Sequence, residues 1–143
     1  MKRRFFLSLS LLSVIASGLI CTSCEKEDEA IKLDKELYQM AIVTDGFVWY
    51  GNSNILLERS SGSGHTQPFL RTRYNFTASA SLSDEGTIKG NAIFDNGSMV
   101  VKELYSGSTT LNQYAVLYKQ TSSEFADKDG WVWGYFNANG SVI

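Results

Sequence analysis

Four stretches of this chain alternate apolar and polar positions with the period of a β-strand: Phe69 to Asn75, Ser98 to Tyr105, Leu111 to Lys119 and Trp131 to Phe136. Leu37, Met40 and Ala41 instead recur at helical spacing behind Asp34, an N-cap residue type. The pattern therefore predicts a first helix over 34–43, ended by Asp45-Gly46. Phe47 to Tyr50 reads as an aromatic strand closed by the turn Gly51 to Asn54, and Ile55 to Glu58 as a short edge strand. Asn75 to Leu82, rich in alanine and serine, reads as a second short helix capped by Asn75. Asp95-Asn96-Gly97 is a turn into the strand 98–105, and the loop 106–110 joins that strand to 111–119 as an antiparallel hairpin. These elements add up to an α+β fold, a mainly antiparallel β-sheet with one or two flanking helices.

Strand alternation sorts the candidate chemistry onto faces. In the strand 98–105, Ser98, Val100, Lys102 and Leu104 share one face, and Met99, Val101, Glu103 and Tyr105 the other. Lys102 thus sits between apolar neighbours. Its ordinary reading is a stem that covers hydrophobic surface while the ammonium reaches water; the sharper one is a cation facing a pocket and touching a ligand or cofactor. Arg71 and Arg73 share a face of the strand 69–75, opposite Leu70, Thr72 and Tyr74, and read either as an exposed pair or as a clamp for an anionic group. His65 is the only histidine, delivered by the small-residue loop Ser60 to Gly64. It reads first as a surface or hydrogen-bonding residue and second as a metal or haem ligand. Trp131, Trp133 and Tyr135 form a stripe at strand spacing. A stripe of this kind is first of all a core signal, with an aromatic-lined slot as the functional alternative.

The N-terminus changes the picture of where the domain resides. Lys2-Arg3-Arg4 followed by the apolar run Phe5 to Ile20 is the pattern of a secretory signal peptide, over residues 1–23. Cys21-Thr22-Ser23-Cys24 resembles a bacterial lipobox, with Cys24 the acylated first mature residue; a redox or metal pair is the competing reading of the CxxC spacing. Residues 24–33, including Glu25-Lys26-Glu27-Asp28-Glu29, read as an acidic tether, and resemble the export signal that directs lipoproteins of Bacteroidetes-type bacteria to the outer face of the outer membrane. The expected partner is therefore a membrane, through a lipid anchor, and the expected location the cell envelope. With Lys2, Arg3 and Arg4 removed from the 13 basic residues, 10 remain against 15 acidic ones, a net charge of −5 with His65 neutral. That balance excludes nucleic acid as a partner class, because no basic patch is available to neutralise phosphates. No Ser-His-Asp set, phosphate loop, paired-carboxylate spacing or zinc pattern points to another enzyme class.

Phe94, Asn96-Gly97, Val101, Lys102, Glu103 and Leu104 carry a resemblance. They resemble the core motif of the cytochrome P-460 family and its relative cytochrome c-prime-beta, roughly phenylalanine, one or two residues, then D-G-x-x-x-V-K-E followed by leucine, tyrosine or histidine. Further pieces lie in order on both sides: Ser63-Gly64-His65 and Arg71 to Asn75 upstream, then Tyr114 to Lys119, Phe125-Ala126 and Trp131 to Phe136. About half the chain is covered. The resemblance implies the same α+β fold over 34–143, haem as cofactor, and a dimer formed through the sheet. It places Lys102 where hydroxylamine-oxidising members join a lysine covalently to the haem edge, and His65 within a serine-x-histidine piece. Lys102, Arg71, Arg73 and His65 become the cofactor-binding candidates, the arginines as partners of a haem propionate and His65 as a metal ligand.

The chain also departs from the family pattern. The family attaches haem through a CxxCH motif near the C-terminus, which does not follow here, and the only CxxC lies in the leader with Glu25 in place of histidine. A carboxylate that those members use to move protons falls near Ala115. General acid-base help of that kind is worth about 10²–10⁴-fold. The expectation is a membrane-anchored lipoprotein with a C-terminally incomplete P-460-like domain, of small nitrogen-oxide or electron-transfer chemistry by resemblance. The alternative is a haem-less surface binding or structural lipoprotein.

Overall fold

The computed structural model describes residues 22–143, with side chains from residue 26 onward. The leader through Cys21 lies outside the described residues, and so does the side chain of Cys24, the expected lipidation site. No described helix is long and apolar enough to cross a membrane.

Helix α1 spans Thr22–Ala41, so the whole stretch 24–33 expected to be a tether is helical, and Asp34 lies inside the helix rather than at its N-cap. The physical reason is composition. Glutamate, lysine, alanine and leucine dominate 24–37, all good helix formers, and neither glycine nor proline interrupts them. Leu33, Leu37, Met40 and Ala41 make the stripe that packs on the sheet, with Leu37 and Ala41 fully buried. Lys26 reaches Glu124 across 2.7 Å, tying the first turns to the loop before the last strand. At the other end the turn from Thr44 to Phe47 uses Gly46 at φ +77°, a left-handed conformation that favours glycine.

The strands are β1 (Val48–Trp49), β2 (Leu57–Glu58), β3 (Phe69–Tyr74), β4 (Met99–Tyr105), β5 (Leu111–Lys119) and β6 (Trp131–Asn137). They form one sheet in the order β1-β3-β4-β5-β6, with β2 sharing the outer edge of β3 and every named pairing antiparallel. The α+β fold with a mainly antiparallel sheet and two flanking helices is thus what the chain adopts. The aromatic run 47–50 yields only two strand residues before the chain turns through a 3-10 helix at Tyr50–Asn52. Helix α2 is shorter than the alanine-serine stretch, Phe76–Ser79, and Asn75 caps it as expected by accepting from the Ala78 N–H.

Two cores follow from the two faces of the sheet. Met99, Val101, Tyr114, Val116, Val132 and Phe136 pack under α1. Tyr74 and Val100, on the other face, pack against Ala78 and Leu82, with Phe94, Leu117 and Trp131 partly buried beside them. The burial of β6 corrects the expectation that Trp131, Trp133 and Tyr135 form a core stripe. Val132, Gly134 and Phe136 point under α1 instead, and Trp133 is 62% exposed. The helix side is where Phe136 folds over Gly134, with Leu37 beside it, and a Cβ there would run into the Phe136 ring first.

Candidate functional site

The face away from α1 carries the site. Register places Thr72, Lys102, Ala115 and Tyr135 in one row across β3, β4, β5 and β6, with Tyr74, Val100, Leu117 and Trp133 in the next row. Neighbouring strands lie about 4.8 Å apart and alternate residues about 7 Å apart along a strand, so Lys102 and Trp133 are diagonal neighbours roughly 12 Å apart at Cα. Helix α2 and the segment after it cover the Tyr74–Val100 end of this face, while the loop that carries His65 overhangs the Lys102 row.

Between these covers lie two open hollows that share Gly64, His65 and Lys102. One, of about 440 Å³, has Ala115, Leu117, Trp133 and Tyr135 on its floor and wall, and Asp34 with Val142 and Ile143 at its edge. The other, of about 630 Å³, runs over Leu70, Thr72 and Tyr74 toward Tyr50, Leu57 and Ile88, with Glu58 at its far side. Volumes of this size are those of small-molecule sites.

His65 is built into the wall. Its ring stacks on Tyr135 with centroids 5.9 Å apart and planes 17° from parallel, and its Nδ1 lies 3.2 Å from the Tyr135 hydroxyl. That hydroxyl donates to Gln113 Oε1 at 3.4 Å, so the network assigns the His65 proton to Nδ1 and leaves the lone pair on Nε2. The His65 carbonyl accepts from Arg59 at 2.8 Å, which holds the loop in place. Burial first, and the nearby Lys102 charge second, push the His65 pKa below its ordinary 6.5. The imidazole is therefore neutral at pH 7. At the edge of the smaller hollow, burial raises the carboxyl of Asp34 above the usual carboxylate range.

Lys102 is half-buried and has neither a carboxylate nor a hydrogen-bond partner among the described residues. The other lysine on this face is engaged: Lys119 donates to the Asp129 carbonyl and lies over the Trp131 ring, 5.1 Å from its centroid. Trp133 is exposed but not loose, since its indole Nε1–H donates to Asp127 Oδ2 at 2.9 Å.

Arg71 and Arg73 are on the opposite face. Both pair with Glu103, which is 3% exposed and also accepts from the Tyr105 hydroxyl at 2.9 Å. Arg73 is wholly buried and donates to the carbonyl of Ala41, the last residue of α1, where a cation complements the helix dipole. Burial pulls its pKa down to about 10, still high enough to keep the charge at neutral pH. The Arg71 guanidinium lies over Trp49, 4.6 Å from the ring centroid. The fold thus brings together Lys102 and His65 of the expected set and puts both arginines out of reach of them.

Comparisons with protein-family models, with curated proteins and with solved structures find no match. The chemistry of the site consequently rests on its own residues. The arginines expected to hold haem propionates do not fit that role, because both are committed to Glu103 on the other face, whereas the bond from His65 Nδ1 to Tyr135 leaves Nε2 free. Among the described residues no three His, Cys, Asp or Glu side chains gather as a metal-ligand group. Ala115 stands directly across from Lys102, so the position next to that ammonium carries a methyl group and no acid.

Three participants were not singled out in the sequence. Asp34 is read there as a cap, Glu58 as part of an edge strand, and Leu117 as one residue of a hairpin. Trp133 and Tyr135 carried a signal, the stripe at spacing of two, and its polarity depends on which side the helix takes.

Proposed function

We propose that this chain is an envelope lipoprotein whose domain binds a small molecule on the sheet face over Lys102, without resident haem and without catalysis of its own. The observation that carries the binding reading is Lys102, a half-buried cation in the middle of an apolar sheet face with no carboxylate paired to it among the described residues. Natural proteins seldom bury a charge without a partner, and a ligand anion would be that partner. The anchor reading is supported by the basic n-region, the apolar run and the small residues before Cys24. Acylation at Cys24 would place the fatty chains in the first turn of α1, whose later turns pack on the sheet, so the domain would stand on a helical stalk.

The P-460 resemblance enters here as a second reading, favoured by one observation: Lys102 and His65, two of its expected contacts, line the same hollows. In that reading the domain is a relative that kept the pocket after losing covalent haem.

Two measurements test these readings. Labelling cells with an alkyne fatty acid should tag the full-length chain and not Cys24→Ser; equal labelling of both would remove the anchor. Titrating the purified full-length chain with haemin should give no stoichiometric Soret band. A one-to-one band lost in Lys102→Ala or His65→Ala would overturn the haem-less reading in favour of the second.

A further inference from the structure

Resting on that binding reading, we infer that the ligand is a flat aromatic monocarboxylate, with its carboxylate on Lys102 and its ring against Trp133 and the stacked His65–Tyr135 pair. Charge decides the first part. Among the described lining residues, Lys102 is the one lysine or arginine, and it lines both hollows, whereas an acid lines each of them separately, Asp34 one and Glu58 the other. A single anion is drawn to the middle; a second one, at the far end of the same molecule, would meet a carboxylate.

Shape decides the second part. The Trp133 indole is anchored through its Nε1–H by Asp127, so its ring is oriented before any ligand arrives. His65 and Tyr135 are held nearly parallel to one another, and their hydrogen bond fixes the pair. The floor between these walls is small and apolar, Ala115 and Leu117, and offers a ring no polar group to desolvate. Lys102 and Trp133 stand roughly 12 Å apart at Cα by sheet geometry. The long lysine stem shortens that span to the reach of one or two fused rings bearing a carboxyl group. Neutral His65, with its lone pair on Nε2, adds an acceptor rather than a second cation.

The test is tryptophan fluorescence and calorimetric titration of the full-length chain with four probes: 2-naphthoate, 2-naphthalenemethanol, naphthalene-2,6-dicarboxylate and decanoate. Naphthoate should bind with quenching that Trp133→Phe alters. The neutral alcohol should bind about 10- to 100-fold more weakly, the worth of one charge-assisted hydrogen bond. Lys102→Met, which keeps most of the stem, should weaken naphthoate by a similar factor and leave the alcohol unchanged. The dicarboxylate should bind more weakly than naphthoate. Circular dichroism of each variant separates loss of binding from loss of fold. If decanoate or the dicarboxylate binds more tightly than naphthoate, the ligand class is overturned while the binding reading stands. If no probe binds and Lys102→Met changes nothing, both fall.

Discussion

Lys102 and Glu103 are adjacent in β4 and face opposite sides of one sheet: Glu103 is buried between Arg71 and Arg73 under α1, whereas Lys102, on the face that carries the hollows, has no carboxylate partner among the described residues. The single-residue offset separates a charge paired in the core from one that faces the hollows. Truncation at the two positions should therefore have opposite consequences. Glu103→Ala leaves two arginines close together, one of them fully buried, with no counter-charge, and breaking a buried ion pair from one side costs about 3–5 kcal/mol. Lys102→Ala breaks no ion pair among the described residues and should cost only the packing of its stem, about 1 kcal/mol or less. Urea denaturation of the two variants checks both; a Lys102→Ala chain as unstable as Glu103→Ala would make Lys102 a structural residue.

His65 makes stability depend on pH. Its pKa is lowered in the folded chain, by burial first and by the Lys102 charge second, so between the two pKa values the unfolded chain binds the proton and the folded one does not. The stabilisation belonging to neutral His65 is thus complete above pH 6.5, its ordinary value, and is lost as pH falls through the folded pKa. The difference in unfolding free energy between the parent and His65→Gln should be constant from pH 8 to 7 and shrink from about pH 6.5 downward. An NMR titration of the imidazole with a midpoint above 6.5 would contradict the account.

Gly134 is where β6 meets the helix. A Cβ there would lie 2.6 Å and 2.7 Å from two Phe136 ring carbons and 3.2 Å from Leu37 Cδ1. Gly134→Ala should destabilise by about 1–3 kcal/mol through overpacking, and Leu37→Ala by about 2–5 kcal/mol through the cavity it opens. Because Leu37, Gly134 and Phe136 share one packed spot, the space opened by Leu37→Ala lets the Phe136 ring give way, and the double variant should be less unstable than the sum of the singles. Thermal unfolding of the three chains measures this.

Asn75 joins three pieces of backbone. Its Oδ1 accepts from Ala78 N and Met99 N, each at 2.9 Å, and its Nδ2 donates to the Gly97 carbonyl at 2.8 Å. Asn75→Ala should cost about 1–2 kcal/mol, an N-cap loss at the upper end because a strand amide loses its acceptor as well. Asn75→Asp keeps the acceptor and should cost less. Faster amide exchange at Ala78 and Met99 together is the signature that distinguishes this shared role from a helix cap alone.

How much of this was legible beforehand differs by element. The strands 98–105 and 111–119 and their hairpin follow from alternation alone, since each has a fully patterned face and a turn at its start. Asn75 as a cap was legible because capping needs only a side-chain oxygen and the three following residues. The length of α1 was not: charged residues at 25–29 fit a solvated tether and a helix equally well, and what selects the helix includes the contacts of Leu33 and Leu37 and the pairing of Lys26 with Glu124, almost a hundred residues away. The site was half legible. Lys102 and His65 stood out by type and setting, but Arg71 and Arg73 stood out equally and belong to the other face.

Local pattern determined which residues form strands, which neighbours share a face, and that Lys102 and Glu103 part company, because backbone geometry alternates side chains whatever lies around them. Which face is core and which is open was decided only when α1 settled on one side. Helix packing covers Arg73, Glu103 and Phe136 and leaves Trp133, Tyr135 and Lys102 uncovered, and nothing in the period of a strand states which side a distant helix will take.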